Sequence, residues 1–147
     1  MATTGIVALT PPQSAEAALT SLPPGFLDEA VVSGLPFPTA VAFTPTGDMF
    51  VALKGGQVRV VDNDQLLSEP FLDISAVVHD NDDRGLLGIT VHPQFPAEPY
   101  IYLAYTYDPP GTAPDQGWPV AGRVARVERF TADAAADYQK VVEGSGL

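Results

Sequence analysis

Residues 85–107 read GLLGITVHPQFPAEPYIYLAYTY and contain two apolar runs separated by a short segment with three prolines. Branched and aromatic side chains in runs of this length, bounded by proline and glycine, predict two strands, LLGITVH (86–92) and YIYLAYTYD (100–108). The connection is short enough to make them antiparallel neighbours. The first strand is apolar on both faces, as expected for a strand covered on both sides. This stretch therefore predicts the centre of a layered β protein.

The same pattern occurs once more, 48 residues earlier. VAFTP (41–45) aligns with ITVHP (89–93), and each is followed by an aromatic strand, an arginine-containing strand and a further apolar strand. Four antiparallel strands that repeat every 40–50 residues or so are typical of β-propeller blades. We place blade one at about 38–76 and blade two at about 85–145. A two-sheet sandwich with chance similarity is the alternative.

The rest of the chain supports an all-β fold class. No segment after residue 25 has a helical hydrophobic period, and Gly47 supplies the positive φ of a tight hairpin. Residues 1–25 are rich in Ala, Thr, Ser and Pro and are predicted to form a flexible leader, with a short helix over SAEAALTSL, ahead of a propeller portion at 26–147. The other predicted strands are EAVVSG (29–34), TAVAFT (39–44), DMFVALK (48–54), QVRVVD (57–62), EPFLDIS (69–75), GRVARVERFTA (122–132) and QKVVEG (139–144).

Composition excludes several classes of function. The 147 residues include 7 Lys and Arg against 18 Asp and Glu, a formal charge of -11. That charge repels nucleic-acid phosphates and anionic membrane surfaces. The absence of cysteine removes disulfides and thiolate metal sites, and no apolar run is long enough to span a bilayer. The N-terminus has no positive region ahead of an apolar run, so an intact signal peptide is not predicted.

Two blades do not close a propeller, which needs about four to eight. They would cover each other on one side and leave two apolar faces open. The predicted strand EAVVSG also has no partner within the two blades. The sequence therefore predicts the N-terminal piece of a longer propeller, whose remaining blades are its partners.

Three segments resemble the soluble quinoprotein sugar dehydrogenases of the glucose/sorbosone dehydrogenase family. They are SGLPFPTAVAFTPTGDMFVALKGGQVRVV, DDRGLLGITVHPQFPAEPYIYLAYTY and RVARVERFTADA, and the similarity runs from about Leu22 to Val142. The resemblance implies a six-bladed propeller that oxidises an aldose or a related sugar alcohol or aldehyde. Pyrroloquinoline quinone (PQQ) would accept the hydride, Ca²⁺ would polarise the quinone, and an external acceptor would take the electrons.

The resemblance also implies what this chain lacks. In the family the base is a histidine of the next blade, which lies beyond Leu147, and the quinone clamps and calcium ligands follow later still. No catalytic residue and no metal ligand can be mapped here, so the chain alone is predicted to be inactive. One pocket position carries over, Asp83, where the family usually has glutamine or an acid. Periplasmic or extracellular localisation is likewise implied by resemblance alone.

Residue chemistry leaves other interpretations of the acidic loop open. Asp80, Asp82 and Asp83 could form a calcium loop, but Val91 stands where an EF-hand has its bidentate glutamate. A solvated loop and a pocket role for Asp83 are the alternatives. Arg84 is expected to pair at the surface with Asp82 or Asp83, or to reach an anionic ligand.

The two histidines and the aromatic residues have structural and functional interpretations too. His92 is expected to be a core histidine bonded to backbone rather than a ligand, and His79 is expected to be exposed. Tyr100 and Tyr102 share one face of their strand, whereas Tyr105 and Tyr107 share the other, for packing or sugar stacking. Trp118, in the loop DPPGTAPDQGWP (108–119), could be a lid or a surface anchor.

A rival function belongs to another class. The same blades could form a non-catalytic propeller for protein or carbohydrate binding, as in the hedgehog-interacting-protein-like relatives.

Overall fold

The structure is a computed structural model that describes residues 22–111, 123–132 and 141–145. The chain divides into two compact units, Met1–Val31 and Val32–Leu147. Most of the predicted leader and its helix, through residue 21, lies outside the described residues, as does Trp118. In the described part no helix is long and apolar enough to cross a membrane.

Within the residues that the structure describes, the strands lie in the second unit and form two antiparallel sheets. The strands are β1 (Pro38–Phe43), β2 (Met49–Leu53), β3 (Gln57–Asp62), β4 (Gln65–Leu66), β5 (Leu72–Asp73), β6 (Leu86–Val91), β7 (Tyr100–Tyr107), β8 (Val124–Ala132) and β9 (Val141–Ser145), with a 3₁₀ helix at Ser75–Val77. The first sheet has the order β1-β2-β3-β4, with β5 also paired to β3. The second has the order β6-β7-β8-β9. The all-β class and the two successive sheets predicted from the repeat are thus present.

The outer strand of the first sheet differs from the prediction. A single strand at 69–75 was expected, but two short strands, β4 and β5, flank a bend that contains Pro70. Proline has no N–H to continue the ladder, so the pairing with β3 is interrupted there. The guanidinium of Arg59 donates to the carbonyl oxygens of Leu67 (2.5 Å) and Ser68 (3.2 Å), which takes up acceptors at the break.

The predicted strand EAVVSG (29–34) is wrong. The structure assigns no strand to these residues, and Gly34 has a φ of +76°, which an extended strand does not tolerate. An apolar run becomes a strand only where a neighbouring strand completes its hydrogen bonds, and sequence composition alone does not supply that neighbour.

The core lies between the two sheets. Alternate residues of β2 and β3 face alternate residues of β7, as the period of two requires. At its centre the Phe50 ring meets Phe71 edge-on at a centroid distance of 4.8 Å and Phe95 at 6.0 Å. The other large members are Val58, Val60, Leu86, Ile101, Leu103, Tyr105 and Phe130.

On the faces turned away from this core, β1 and β6 carry exposed apolar residues, whereas Val51 and Leu53 on β2 are buried. Phe43 on β1 is 64% exposed and Leu87 on β6 is 49% exposed. The expectation that the strand LLGITVH, here β6, is covered on both sides is therefore not met within the described residues. Open apolar faces on both sheets are what the two-blade interpretation predicts.

Candidate functional site

The acidic loop 80–85 connects the first sheet to the second and is docked on the β2–β3 turn. Lys54 donates from Nζ to the carbonyl oxygen of Asp82 at 2.5 Å, and its own carbonyl oxygen accepts the N–H of Leu86 at 2.9 Å. Gly85 has a φ of +138°, and a Cβ at this position would lie 2.6 Å from that carbonyl oxygen. Only glycine allows this close approach, so Gly85 is required for the loop to dock against the β2–β3 turn.

Beneath the loop, Arg84 and His79 form a buried pair. Both residues are less than a tenth exposed, and Nη1 of Arg84 lies 2.6 Å from Nε2 of His79. A guanidinium can only donate, so Nε2 must be the acceptor and the imidazole proton sits on Nδ1. Two predictions are therefore wrong: His79 is buried rather than exposed, and Arg84 turns inward rather than pairing with Asp82 or Asp83 at the surface.

The pair continues to the end of β7 and the start of β8. Nδ1 of His79 lies 3.9 Å from a carboxylate oxygen of Asp108, and Nε of Arg123 lies 3.0 Å from the other oxygen. The backbone adds to this, because the N–H of His79 donates to Thr106 and the N–H of Asp108 donates to Val77. This polar chain, in which only Asp108 is partly exposed, fixes one end of the acidic loop to the second sheet.

A cleft of about 460 Å³ opens on the other side of the same loop. We call it the Phe37 cleft. It is lined by Pro36, Phe37, Leu53, Lys54, Gly55, Gln57, Ser75 and Asp80. Its volume lies within the range of about 300–1,000 Å³ that small-molecule sites occupy. Sequence reasoning missed this cleft, since its residues come from four separate segments.

Asp73 holds two polar side chains of the cleft in place. Its carboxylate accepts the amide of Gln57 at 2.8 Å and the N–H of Ser75 at 2.9 Å. The hydrogen bond from the Ser75 side chain is the largest of the influences that lower the pKa of Asp73 below its usual value. Asp73 is therefore ionised at neutral pH and orients Gln57.

Asp83, the predicted pocket residue, is exposed on the loop and is not one of the residues that line the Phe37 cleft. Asp80 is the loop carboxylate that does line it. His92 accepts the N–H of Gln94 at its Nδ1 (3.2 Å), which is the expected backbone contact, but it is only half-buried and not a core residue, so that part of the prediction is wrong.

A second polar cluster lies on β7 and β8. The Tyr105 hydroxyl donates to the Glu128 carboxylate, and Arg126 stacks on the Tyr107 ring at 3.6 Å. Tyr105 faces the core, whereas Tyr100 and Tyr102 lie on the other face of β7, as the alternation predicts. Burial, followed by the hydrogen bond to Glu128, raises the pKa of Tyr105 to about 12.

Tyr105 should therefore resist alkaline ionisation. Its folded-state pKa exceeds the unfolded value of about 10, so its stabilising contribution is complete below about pH 10 and is lost as pH rises towards 12. The measurement is the phenolate absorbance of wild type during an alkaline titration, minus that of Tyr105→Phe. We expect this difference to appear with a midpoint near pH 12. A midpoint near the ordinary value for tyrosine would contradict the burial argument.

Around the acidic loop, the described side chains do not provide a calcium site or a quinone clamp. Among them, no group of three or more Asp, Glu or His side chains is arranged to hold a metal ion. A quinone with several carboxylates needs converging cations. Arg84 is committed to buried His79, and Lys54 to the loop carbonyl.

The two antiparallel sheets share one core and are joined by a loop, which is the arrangement of successive blades in a β-propeller. The family model described as Glucose / Sorbosone dehydrogenase matches residues 35–143. The chain belongs to the glucose/sorbosone dehydrogenase family.

Two of the three relatives compared individually are named as glucose dehydrogenases. A solved structure described as an oxidoreductase (glucose dehydrogenase) from Thermus thermophilus is 30% identical, with a TM-score of 0.59 over 78% of this chain and 29% of that one. Quinoprotein glucose dehydrogenase B of Acinetobacter calcoaceticus is 29% identical over 71% of this chain and 21% of its own length. Human Hedgehog-interacting protein is 32% identical over 55% of this chain and 13% of its own length. The chain thus spans less than a third of each of these relatives.

Proposed function

We propose that this chain forms the first two blades of a six-bladed quinoprotein sugar dehydrogenase. The whole protein would oxidise an aldose, or a related sugar alcohol or aldehyde, and pass the hydride to PQQ. The observation that supports this best is the family match over residues 35–143, which includes both sheets and the acidic loop between them.

In this proposal the described residues build a wall of the site and do not carry the chemistry. The base, the quinone clamps and the Ca²⁺ ligands would come from blades outside this chain, as the family resemblance implies. Among the described residues no group of three or more Asp, Glu or His side chains is arranged to hold a metal ion. The sheets and the polar chain Arg84–His79–Asp108–Arg123 would hold the acidic loop at the rim of the site. Asp83, exposed on that loop, would then hydrogen-bond the sugar or the quinone.

The direct test is dye reduction by the full-length protein. After reconstitution with PQQ and Ca²⁺, we expect reduction of an artificial acceptor that depends on an added aldose. The isolated 147-residue chain should show none. If neither the full-length protein nor the isolated chain reduces the dye faster when an aldose is added, the enzyme assignment is rejected.

Asp83 has its own prediction. Asp83→Ala in the full-length enzyme should lower kcat/KM for the aldose by about 10- to 100-fold, the value of a hydrogen bond to a charged group. The matched control is Asp82→Asn, which keeps the backbone carbonyl that Lys54 binds. Wild-type kinetics for Asp83→Ala would reject the pocket role.

A second candidate is a non-catalytic propeller that binds protein or carbohydrate. It is favoured by the 32% identity to Hedgehog-interacting protein over 88 residues. The two candidates differ in the dye assay, because a binding propeller reduces no acceptor. For the dehydrogenase we further propose a periplasmic or extracellular location, which fractionation of the source cells would test.

A further inference from the structure

The Phe37 cleft combines an exposed aromatic ring with polar side chains. The Phe37 side chain is 78% exposed at the rim, although burial of such a ring is normally favourable. Gln57, Ser75 and Asp80 offer an amide, a hydroxyl and a carboxylate within the same cleft.

The backbone holds Phe37 in a costly conformation. Its φ of +46° lies in the left-handed region, which is a genuine outlier for a bulky residue. The N–H of Lys54 donates to the Phe37 carbonyl oxygen at 3.0 Å, which fixes this residue against the end of β2. Strain of this kind persists where the surroundings enforce it and is concentrated at ligand sites.

The polar groups are also held in place. Asp73 anchors Gln57 from below, and the Asp82 carbonyl anchors Lys54 at the loop. A ligand in the cleft would therefore meet side chains that have already lost part of their conformational freedom, which lowers the cost of binding.

We propose that the Phe37 cleft binds a neutral pyranose ring, with one face of the sugar stacked on Phe37 and its hydroxyl groups bonded to Gln57, Ser75 and Asp80. A pyranose has an apolar face of C–H groups and a polar edge, which matches a ring platform beside an amide and a carboxylate. A planar anion is a poorer fit, because the carboxylate of Asp80 repels it and Lys54 is already engaged. The inference goes beyond the dehydrogenase proposal and does not depend on quinone chemistry.

The test uses the full-length protein with fluorine-labelled phenylalanine, titrated with methyl β-D-glucopyranoside. The Phe37 resonance is assigned by its loss in Phe37→Trp. We expect it to shift and saturate, while the resonance of Phe43, the exposed phenylalanine at the other end of β1, stays in place. An unmoved Phe37 resonance overturns the proposal.

Two further measurements separate this cleft from other sites. Gln57→Ala should weaken the sugar affinity read at Phe37 by about tenfold while the aldose KM in dye reduction is unchanged. If Gln57→Ala changes both the sugar affinity read at Phe37 and the aldose KM, the sugar binds at the reaction centre and the proposal of a separate site is refuted. Titration with D-glucuronate should shift the Phe37 resonance less than the neutral glycoside, and a larger shift would mean an anion site instead. Absence of dye reduction, with the Phe37 shift retained, would remove only the enzyme proposal.

Discussion

Replacement of Phe50 by alanine should cost about 3–5 kcal/mol of folding free energy, the range for a large aromatic residue removed from a packed core. Phe50 is fully buried between the sheets and meets the rings of Phe71 and Phe95 edge-on. Its removal leaves a cavity that neither sheet can close, because both are held by their own ladders. Urea denaturation followed by circular dichroism measures the loss.

Phe43→Ala is the matched control for Phe50→Ala in the 147-residue chain. Phe43 is 64% exposed on the neighbouring strand β1, so its truncation should change stability by no more than about 0.5 kcal/mol. Equal losses for the two variants would mean that the sheets do not pack face to face through Phe50.

Gly85→Ala is expected to destabilise the protein by about 3 kcal/mol or more, because two costs combine. A φ of +138° is accessible almost only to glycine, and the added Cβ would lie 2.6 Å from the backbone carbonyl oxygen of Lys54. This clash is not easily relieved, because a backbone carbonyl cannot rotate away as the end of a flexible side chain can. The hydrogen bond from Leu86 to that carbonyl should be lost, and the acidic loop should separate from the β2–β3 turn.

Gly47→Ala separates the conformational cost from the steric one. Gly47 also has a positive φ, +103°, but a Cβ there would meet nothing within 4 Å. We expect a loss of about 1–2 kcal/mol, from backbone strain alone. Hydrogen exchange of the amide of Leu86 should accelerate in Gly85→Ala and not in Gly47→Ala. Similar effects of the two variants would contradict the docking of the loop.

Strands and sheets could be predicted from the sequence where they follow a local alternation or the internal repeat. The alternation in YIYLAYTY predicted that Tyr105 lies on the face of its strand opposite to Tyr100 and Tyr102, and the repeat of VAFTP in ITVHP predicted two sheets of the same order. QVRVVD was predicted with the bounds that β3 has. Each of these signals depends on side chains within one strand or its neighbour, which is information that sequence spacing carries.

The candidate site was predicted less well, because its contacts join distant segments. His79 follows the apolar run ISAVV, which was a signal for burial, but its partner Arg84 stands in an acidic loop that suggested a surface ion pair. Asp108 and Arg123 complete that chain across a long loop. The Phe37 cleft needs residues from 36 to 80 to converge, and no spacing rule connects them.

The most direct test of the central claim is a titration of the full-length apoprotein with PQQ in the presence of Ca²⁺, followed by calorimetry. The account predicts saturable binding of one quinone per chain, which is lost when the isolated 147-residue chain replaces the full-length protein. Absence of quinone binding by the full-length protein would contradict the dehydrogenase proposal and favour the non-catalytic binding propeller.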